Sequence, residues 1–375
     1  MYSSPVNHRY DGIQALRFFA AFLVVLTHST LYAIDRLGTG GELWHNGARG
    51  VDIFFVISGV VMVLSSRRLI DDPNGWKTFV TRRIQRIVPL YWIATTFKLV
   101  VVLLAAGLVL HAGMEWGTIL KSYLFIPSKK LDGEIAPFLG VGWTLVFEMF
   151  FYLIFAAALF LKKNIYAFVG VVLLAFSFAS VFRGESYSAW WFLTDAIILE
   201  FFMGMVIGYF ALKRQFWPSK LSAIAGVAAL AFLLFSANIN IAPLPRFIWS
   251  GIPASIIVWS VMSLEKHIHG RVPRWVIFFG SASYALYLFH PLISPMAPAV
   301  LNKLSLQSFP LAVVCSTAIA MISAAIIYQW IELPINNAIR SYSKQSSKQA
   351  PARPIEATQP EATQPEATPA KARTR

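Results

Sequence analysis

The sequence is poor in charge, has a single cysteine and lacks a recognisable cleavable leader. Charged residues make up 13% of the 375 residues, whereas hydrophobic residues make up 57%. Soluble domains carry about 25% charged residues, so this composition excludes an ordinary soluble protein and indicates a polytopic membrane protein. Cys315 is the only cysteine, which excludes an intrachain disulfide. No small-residue cleavage site follows the first apolar segment, so we predict that this segment is a retained helix.

Long apolar segments dominate the chain. A helix needs about 20 apolar residues to cross a membrane. We therefore predict an all-α, polytopic transmembrane helix bundle of about ten spans over residues 1–340, and a short interfacial helix within 116–126. Residues 341–375 contain the repeat EATQP EATQP EATPA, which predicts a disordered, low-complexity cytoplasmic tail. The ten segments are 12–33, 51–66, 87–109, 141–161, 165–182, 191–211, 221–238, 247–264, 276–296 and 310–331.

The basic residues indicate the topology of these spans. Four alternate loops contain 14 lysines and arginines, and the other five loops contain 8. Cytoplasmic loops are richer in lysine and arginine, so we predict that both termini are cytoplasmic, which an even number of spans satisfies. The net charge of +14 is therefore explained first by topology, and we expect membrane lipids rather than nucleic acid as partners.

The first span contains two ionisable residues, Arg17 and His28, eleven residues apart. At about 100° per residue this spacing returns to nearly the same helix face, roughly 16 Å further along the axis. In the predicted topology, His28 lies in the outer half of the bundle, at a depth similar to that of Asp52 and Glu148 in spans two and four. A neutral histidine can act as a general base, and a carboxylate can orient it. His28 also fits a packing residue, and Asp52 also fits a helix N-cap.

A cationic cluster is expected on the cytoplasmic side, where Arg82, Arg83 and Arg86 follow one another in TRRIQRIVPLYW. Arg82 and Arg86 share a face if the segment is helical. The guanidinium group suits phosphate recognition, although arginines at this position also serve as positive-inside anchors.

Further ionisable residues fall within the predicted spans. Asp195 and Glu200 lie in span six and either line a cavity or pair with a cation, for which Lys98 is a candidate. His290 precedes Pro291, where we expect span nine to break, and its interpretation as a structural residue is slightly favoured. No histidine cluster has metal-ligand spacing, so no metal site is predicted.

Several segments together resemble the integral-membrane acyltransferase family 3, and within it the exopolysaccharide and O-antigen O-acetyltransferase type. The matching segments occur in the family's order over about residues 10–336. They are YDGIQALRFFAAFLVVLTHS, GARGVDIFFVISGVVM, FVTRRIQRIVPLYW, GVGWTLVFEMFFYLIFA, EFFMGMVIG, FGSASYALYLFHPLI and WIELPIN. The closing segment departs from the family pattern, because Glu332 precedes Leu333-Pro334 where many relatives have an arginine before the proline.

The resemblance implies an acyl-CoA-dependent enzyme that acylates a hydroxyl group of a polysaccharide or a lipid-linked glycan. It implies a catalytic role for His28, an essential role for Arg17, and functional roles for Glu148 and the arginine cluster. From the residues and the resemblance together, we expect catalysis by His28 with Glu148 or Asp52. We expect acyl-CoA, most simply acetyl-CoA, to bind at Arg17, Arg82, Arg83 and Arg86.

Several alternatives remain open at this stage. The acyl group could be succinyl or longer, and transfer could be direct or proceed through an acyl-histidine. A proton-coupled transporter or flippase for a glycan or another charged substrate would also contain intramembrane acids and a histidine. A non-catalytic membrane subunit of a glycan assembly complex is a third possibility. The expected location of such an enzyme is the inner membrane of a bacterium.

Overall fold

A computed structural model describes residues 10–38, 40–105, 114–130, 133–184, 187–236 and 244–349. The end of predicted span three, the end of predicted span seven and residues 350–375 of the predicted tail lie outside the described residues. Residues 10–336 form one unit. Residues 337–349 belong to a second unit and are helical.

The described residues are almost entirely helical, with an isolated β-bridge between Lys129 and Ile135. The all-α fold class is confirmed. The helices are α1 Asp11–Leu37, α2 Gly50–Ser66, α3 Gly75–Ala105, α4 Trp116–Tyr123, α5 Trp143–Phe160, α6 Ile165–Ala179, α7 Leu199–Leu212, α8 Ser219–Phe235, α9 Ile252–Ile268, α10 Arg274–Ser281, α11 Ser283–Ile293, α12 Met296–Lys303, α13 Phe309–Ile327 and α14 Leu333–Gln349.

Eight helical segments of the described chain are long and apolar enough to cross a membrane. Two shorter apolar helices, Ala196–Leu212 and Ser219–Phe235, occupy the positions of predicted spans six and seven. Helix α4 coincides with the predicted interfacial segment. The chain is thus a polytopic helical membrane protein, while the number of crossings and the side of the termini stay predictions.

Helix α1 occupies a central position, since it packs against α2, α9, α10, α11 and α13. Its first turn is fixed by Glu265 of α9, whose carboxylate oxygens accept hydrogen bonds from the amides of Asp11 at 2.7 Å and Gly12 at 3.0 Å. These amides lack partners within the helix itself, and the carboxylate also complements the positive end of the helix dipole. At its other end, Gly38 adopts a φ of 62°, the left-handed cap that glycine tolerates best.

Small residues allow α2 and α7 to pack closely. A Cβ atom added at Gly59 would overlap the carbonyl oxygen of Phe201, and one added at Gly204 would overlap that of Val56. Close approach of helix backbones through small residues is a common way for membrane helices to associate. Next to this contact, the rings of Phe55, Phe151 and Phe201 stack with centroid distances of 4.5 and 4.6 Å.

Two local predictions were wrong. The chain does not break at Pro291, because α11 continues to Ile293; the proline removes one amide donor from a helix that packs against α1 and α13. Predicted span six is not one helix, since 3₁₀ turns at Ala189–Thr194 and Ala196–Ile198 precede α7. Asp195 lies between these turns and accepts a hydrogen bond from the Ile197 amide at 3.0 Å, which favours a turn over a continuous helix.

Candidate active site

A cavity of about 270 Å³ lies between α1, α2, α3, α5 and α11. It follows α2 from Val51 to Met62 and α11 from Ser283 to Tyr287. The residues that line it are Arg17, Val51, Phe54, Phe55, Ile57, Ser58, Val61, Met62, Arg83, Arg86, Ile87, Thr144, Leu145, Glu148, Tyr152, Ser283, Tyr284 and Tyr287. Most of these side chains are apolar or aromatic, and the polar ones are few and converge, as is typical of ligand sites.

Three arginines from two helices share this cavity. Arg17 of α1 donates from Nη2 to Ser283 Oγ at 3.0 Å. Arg83 of α3 donates to Ser65 Oγ at 3.4 Å, beyond the Met62 end of the lining. Arg86 lies one turn from Arg83 on the same helix and also lines the cavity. Arg17 therefore meets two of the three predicted arginines of α3, Arg83 and Arg86.

Arg82 differs from its neighbours. Its side chain is exposed, and it is not among the described residues that line the cavity. The sequence predicted that Arg82 and Arg86, which are i,i+4 neighbours, share a helix face. In the structure Arg83 and Arg86 line the cavity. These two are i,i+3 neighbours and share a face equally well.

Two carboxylates accompany the arginines. Glu148 of α5 accepts hydrogen bonds from Ser58 Oγ at 3.0 Å and from the hydroxyl of Tyr152. Glu332, in the π-helical turn Tyr328–Glu332, is buried, and its Oε1 lies 3.7 Å from Arg86 Nη1. No side chain among the described residues donates a hydrogen bond to either oxygen of Glu332. Three guanidinium groups thus face two carboxylates, and the surplus positive charge favours binding of an anion.

His28 lies beyond the other end of the cavity. Its Nδ1 is 2.9 Å from the carbonyl oxygen of Val24 in the preceding turn of α1. Because a carbonyl oxygen only accepts, the neutral ring has its hydrogen on Nδ1, and Nε2 presents a lone pair. The ring of His28 is in edge-to-face contact with that of His290, with a centroid distance of 4.9 Å. The ring of Tyr287, which lines the cavity, lies 6.1 Å from that of His290.

Sequence reasoning did not assign His290 to the site. Ser283, Tyr287 and His290 follow one another at intervals of four and three residues, and therefore share one face of α11. Ser283 contacts Arg17, and His290 contacts His28, so α11 runs beside α1 in the same direction. The shared face in SYALYLFHP was the available signal, and the expected break at Pro291 obscured it.

Asp52 belongs to a different cluster. Its two carboxylate oxygens accept hydrogen bonds from Nε and Nη2 of Arg246 at 2.9 and 2.7 Å. The side chain of Asp52 has no exposed surface. Glu200 is buried beside this pair. Arg246 precedes the π-helical turn Phe247–Gly251, and from the sequence it counted only as a basic residue of a loop.

The expected contact between His28 and a carboxylate is absent from the described hydrogen bonds. Asp52 is saturated by Arg246, and Glu148 is held at the cavity wall by Ser58 and Tyr152. The similar depth predicted from sequence permitted such a contact without requiring it. The group that orients His28 in the structure is the carbonyl of Val24.

The remaining intramembrane ionisable residues do not join the cavity. Lys98 donates to the carbonyl of Phe138 at 2.6 Å and lies over its ring, so it pairs with neither Asp195 nor Glu200. Asp195 lies 3.9 Å from Nη1 of Arg183. Within the described part of the chain, no group of three or more potential ligands is arranged for a metal ion.

The chain matches one protein family over most of its length. The Acyltransferase domain family matches residues 10–329. The exopolysaccharide production protein ExoZ of Rhizobium meliloti is 36% identical over 248 residues, which cover 65% of this chain and 75% of that protein. The acyltransferase MdmB of Streptomyces mycarofaciens is 26% identical over 318 residues, covering 75% of this chain and 78% of that protein.

A third relative is the putative peptidoglycan O-acetyltransferase YrhL of Bacillus subtilis. It is 25% identical over 387 aligned positions, which cover 92% of this chain and 58% of that protein. No solved structure matches the chain significantly.

Proposed function

Since the chain belongs to the integral-membrane acyltransferase family 3, we propose that this membrane acyltransferase moves an acetyl group from acetyl-CoA to a hydroxyl of a polysaccharide or lipid-linked glycan. The family match supports acyl transfer. The Rhizobium relative is an exopolysaccharide production protein and the Bacillus relative is a putative peptidoglycan O-acetyltransferase, and both support a glycan acceptor. The apolar helices and the bacterial relatives support a location in the bacterial inner membrane.

The donor binds at the arginine end of the cavity. CoA is an anion with several phosphate groups, and guanidinium groups match phosphate oxygens in pairs. Arg17, Arg83 and Arg86 supply three such groups against two carboxylates. In the predicted topology this end faces the cytoplasm, where acyl-CoA is made. The cavity of about 270 Å³ accepts the slender pantetheine arm, while the bulky nucleotide part remains outside.

The thioester is directed along the cavity towards His28. The lining follows roughly eleven residues of α2, from Val51 to Met62, a rise of about 16 Å. At the far end, Thr144 and the hydroxyl of Tyr287 lie 2.9 Å apart, and Tyr287 contacts the ring of His290. The acceptor hydroxyl approaches His28 from the predicted outer half of the bundle.

The transfer itself needs a base at the acceptor hydroxyl. Nε2 of His28 removes the hydroxyl proton, and the oxygen attacks the thioester carbonyl carbon. The tetrahedral intermediate then collapses, the C–S bond breaks, and the thiolate of CoA leaves. General-base assistance of this kind contributes about 10²–10⁴-fold to a rate. The carbonyl of Val24, 2.9 Å from Nδ1, takes the orienting part that an aspartate takes in serine hydrolases.

The observation that supports this assignment most directly is the Nε2 of His28, which has no hydrogen-bond partner among the described residues and is connected to the arginine-lined cavity through the rings of His290 and Tyr287. The test uses a deletion strain complemented with the wild type, His28→Ala or His267→Ala at matched protein levels. His267 is an exposed histidine near the end of α9 and serves as the control. O-acetyl content of the purified surface glycans is measured by NMR.

We expect the wild type and His267→Ala to restore the acetyl signals and His28→Ala to leave them absent. Equal restoration by all three proteins would remove His28 from the mechanism. Unchanged acetylation together with altered glycan export would contradict the acyltransferase proposal and favour a transporter.

A further inference from the structure

His290 is a buried ionisable group in contact with His28, and the reaction described above assigns it no part. Its side chain is 1% exposed, and its Nε2 atom has no hydrogen-bond partner among the described residues. Buried polar atoms are nearly always hydrogen-bonded, and one that is not needs an explanation. A hydrogen-bond partner that is present only during the reaction would provide one.

The two rings present equivalent nitrogen atoms. Nδ1 of His290 lies 3.1 Å from the carbonyl oxygen of Leu286, as Nδ1 of His28 does from that of Val24. In both neutral rings the hydrogen is therefore on Nδ1, and Nε2 is free to accept a proton. The rings meet edge to face at 64°, with a centroid distance of 4.9 Å, so the edge of one imidazole lies against the face of the other.

His290 also lies on the side of His28 that faces the donor. It shares one face of α11 with Tyr287 and Ser283, which both line the cavity. The ring of Tyr287 is the contact between His290 and the cavity wall. A thioester that reaches the far end of the cavity therefore meets Tyr287 and His290 on its way to His28.

We propose that His290 is a second acid–base residue, which receives a proton from His28 and delivers it to the departing CoA sulfur. This inference rests on the proposed function. The acceptor O–H proton moves to Nε2 of His28, then to Nε2 of His290, and finally to the thiolate. One C–O bond forms, one C–S bond breaks, and both imidazoles end neutral. The overall reaction converts an alcohol and an acetyl thioester into an acetyl ester and a free thiol.

If His290 protonates the leaving group, its contribution to the rate should increase with the basicity of that group. A thiolate is a moderately strong base and leaves faster when it is protonated. A selenolate is a much weaker base and leaves without a proton. The test therefore compares acetyl-CoA with its selenoester analogue, in which selenium replaces the thioester sulfur and the groups that bind the arginines are unchanged.

The assay uses the purified full chain in proteoliposomes, with polysaccharide isolated from the deletion strain as acceptor. We expect His290→Gln to lower kcat with acetyl-CoA by about 10²-fold or more, and with the selenoester by less than about tenfold. Gln retains a polar terminus but cannot take up and release a proton. The matched control is Tyr32→Phe, since the ring of Tyr32 also lies beside that of His28, with a centroid distance of 6.0 Å. The control should show the same ratio of the two rates as the wild type.

Three results would overturn the inference. Equal losses with both donors would mean that His290 only positions His28, and unchanged rates would mean that it only packs against it. A wild type that transfers no acetyl group from either donor would reject the proposed function itself. If His290→Gln is not recovered as a monodisperse protein, the same comparison is made with His290→Asn.

Discussion

Two clusters of arginines and carboxylates lie within the helix bundle, and they are built in opposite ways. In the first, Asp52 is bound through both oxygens by Arg246. The second cluster contains the carboxylates of Glu148 and Glu332 and the three arginines of the cavity. Among the described residues, Arg17 and Arg83 of this cluster form no ion pair.

The comparison shows that burial alone does not identify a functional charge. Asp52 is the more deeply buried carboxylate, with no exposed side-chain surface, yet its hydrogen-bonding capacity towards cations is used up within the protein. The arginines of the cavity face space that a ligand can enter. Together with Glu148 and Glu332 they form a cluster that has one more positive than negative charge. Unsatisfied charge beside a cavity indicates ligand binding, and a saturated pair indicates structural support.

The largest effect is expected for Asp52→Ala. The substitution leaves the guanidinium of Arg246 buried without its counter-ion, and removing one partner of a buried pair costs about 3–5 kcal/mol. We expect a large fall in thermal stability of the solubilised protein, with normal activity for each molecule that remains folded. Unfolding followed by intrinsic fluorescence and an activity assay per folded molecule give the two quantities.

The matched control is the double substitution Asp52→Leu with Arg246→Met, which removes both charges and should recover much of the lost stability. If Asp52→Ala has normal stability but no activity, Asp52 acts in the reaction, as the sequence suggested.

The next largest effect is expected for the arginines of the cavity. Arg17→Ala and Arg86→Ala each remove a cation from the proposed donor site, and a hydrogen bond to a charged group contributes about 1.5–3 kcal/mol. We expect KM for acetyl-CoA to rise at least tenfold with little change in stability. Initial rates at varied donor concentration measure this. Arg82→Ala is the control, because Arg82 is exposed and outside the cavity lining. Equal effects of all three would place the donor elsewhere.

The smallest effect should follow Glu332→Gln. Glu332 lies 3.7 Å from Arg86, and no side chain of the described residues donates a hydrogen bond to its carboxylate. Removing its charge frees Arg86 for the donor, so we expect KM for acetyl-CoA to fall about two- to threefold, with an unchanged unfolding temperature. A loss of stability like that of Asp52→Ala would show instead that Glu332 is a structural partner of Arg86.

The sequence predicted the helices, and it predicted that Arg17 would lie near the arginines that precede the third span. Long apolar segments are an unambiguous signal because a membrane-crossing helix satisfies its own backbone, and one such segment placed Arg17 and His28 on the same helix. The meeting of Arg17 with Arg83 and Arg86 followed from their common predicted depth, and the structure brings them to one cavity.

The partners of Asp52 and His28 were not predicted. The predicted depth of a residue in the membrane does not determine which helices lie beside it. Asp52 and His28 have similar predicted depths, but Asp52 pairs with Arg246, a residue 194 positions away in sequence. His290 was treated as structural because Pro291 suggested the end of a helix. Proline weakens a helix locally, and here the packing of α11 against α1 and α13 maintains it.

The hydrogen bonds from the two histidine rings to the carbonyl groups of Val24 and Leu286 affect which substitutions the protein can accept during evolution. Both rings are oriented by a carbonyl one helical turn earlier on their own helix, so no side chain is required to hold them. Any residue at position 24 or 286 that keeps the helix provides the same acceptor. If the proposed reaction holds, the surrounding side chains can change to fit new acceptor glycans, while the Nε2 atoms proposed to accept the proton keep their orientation.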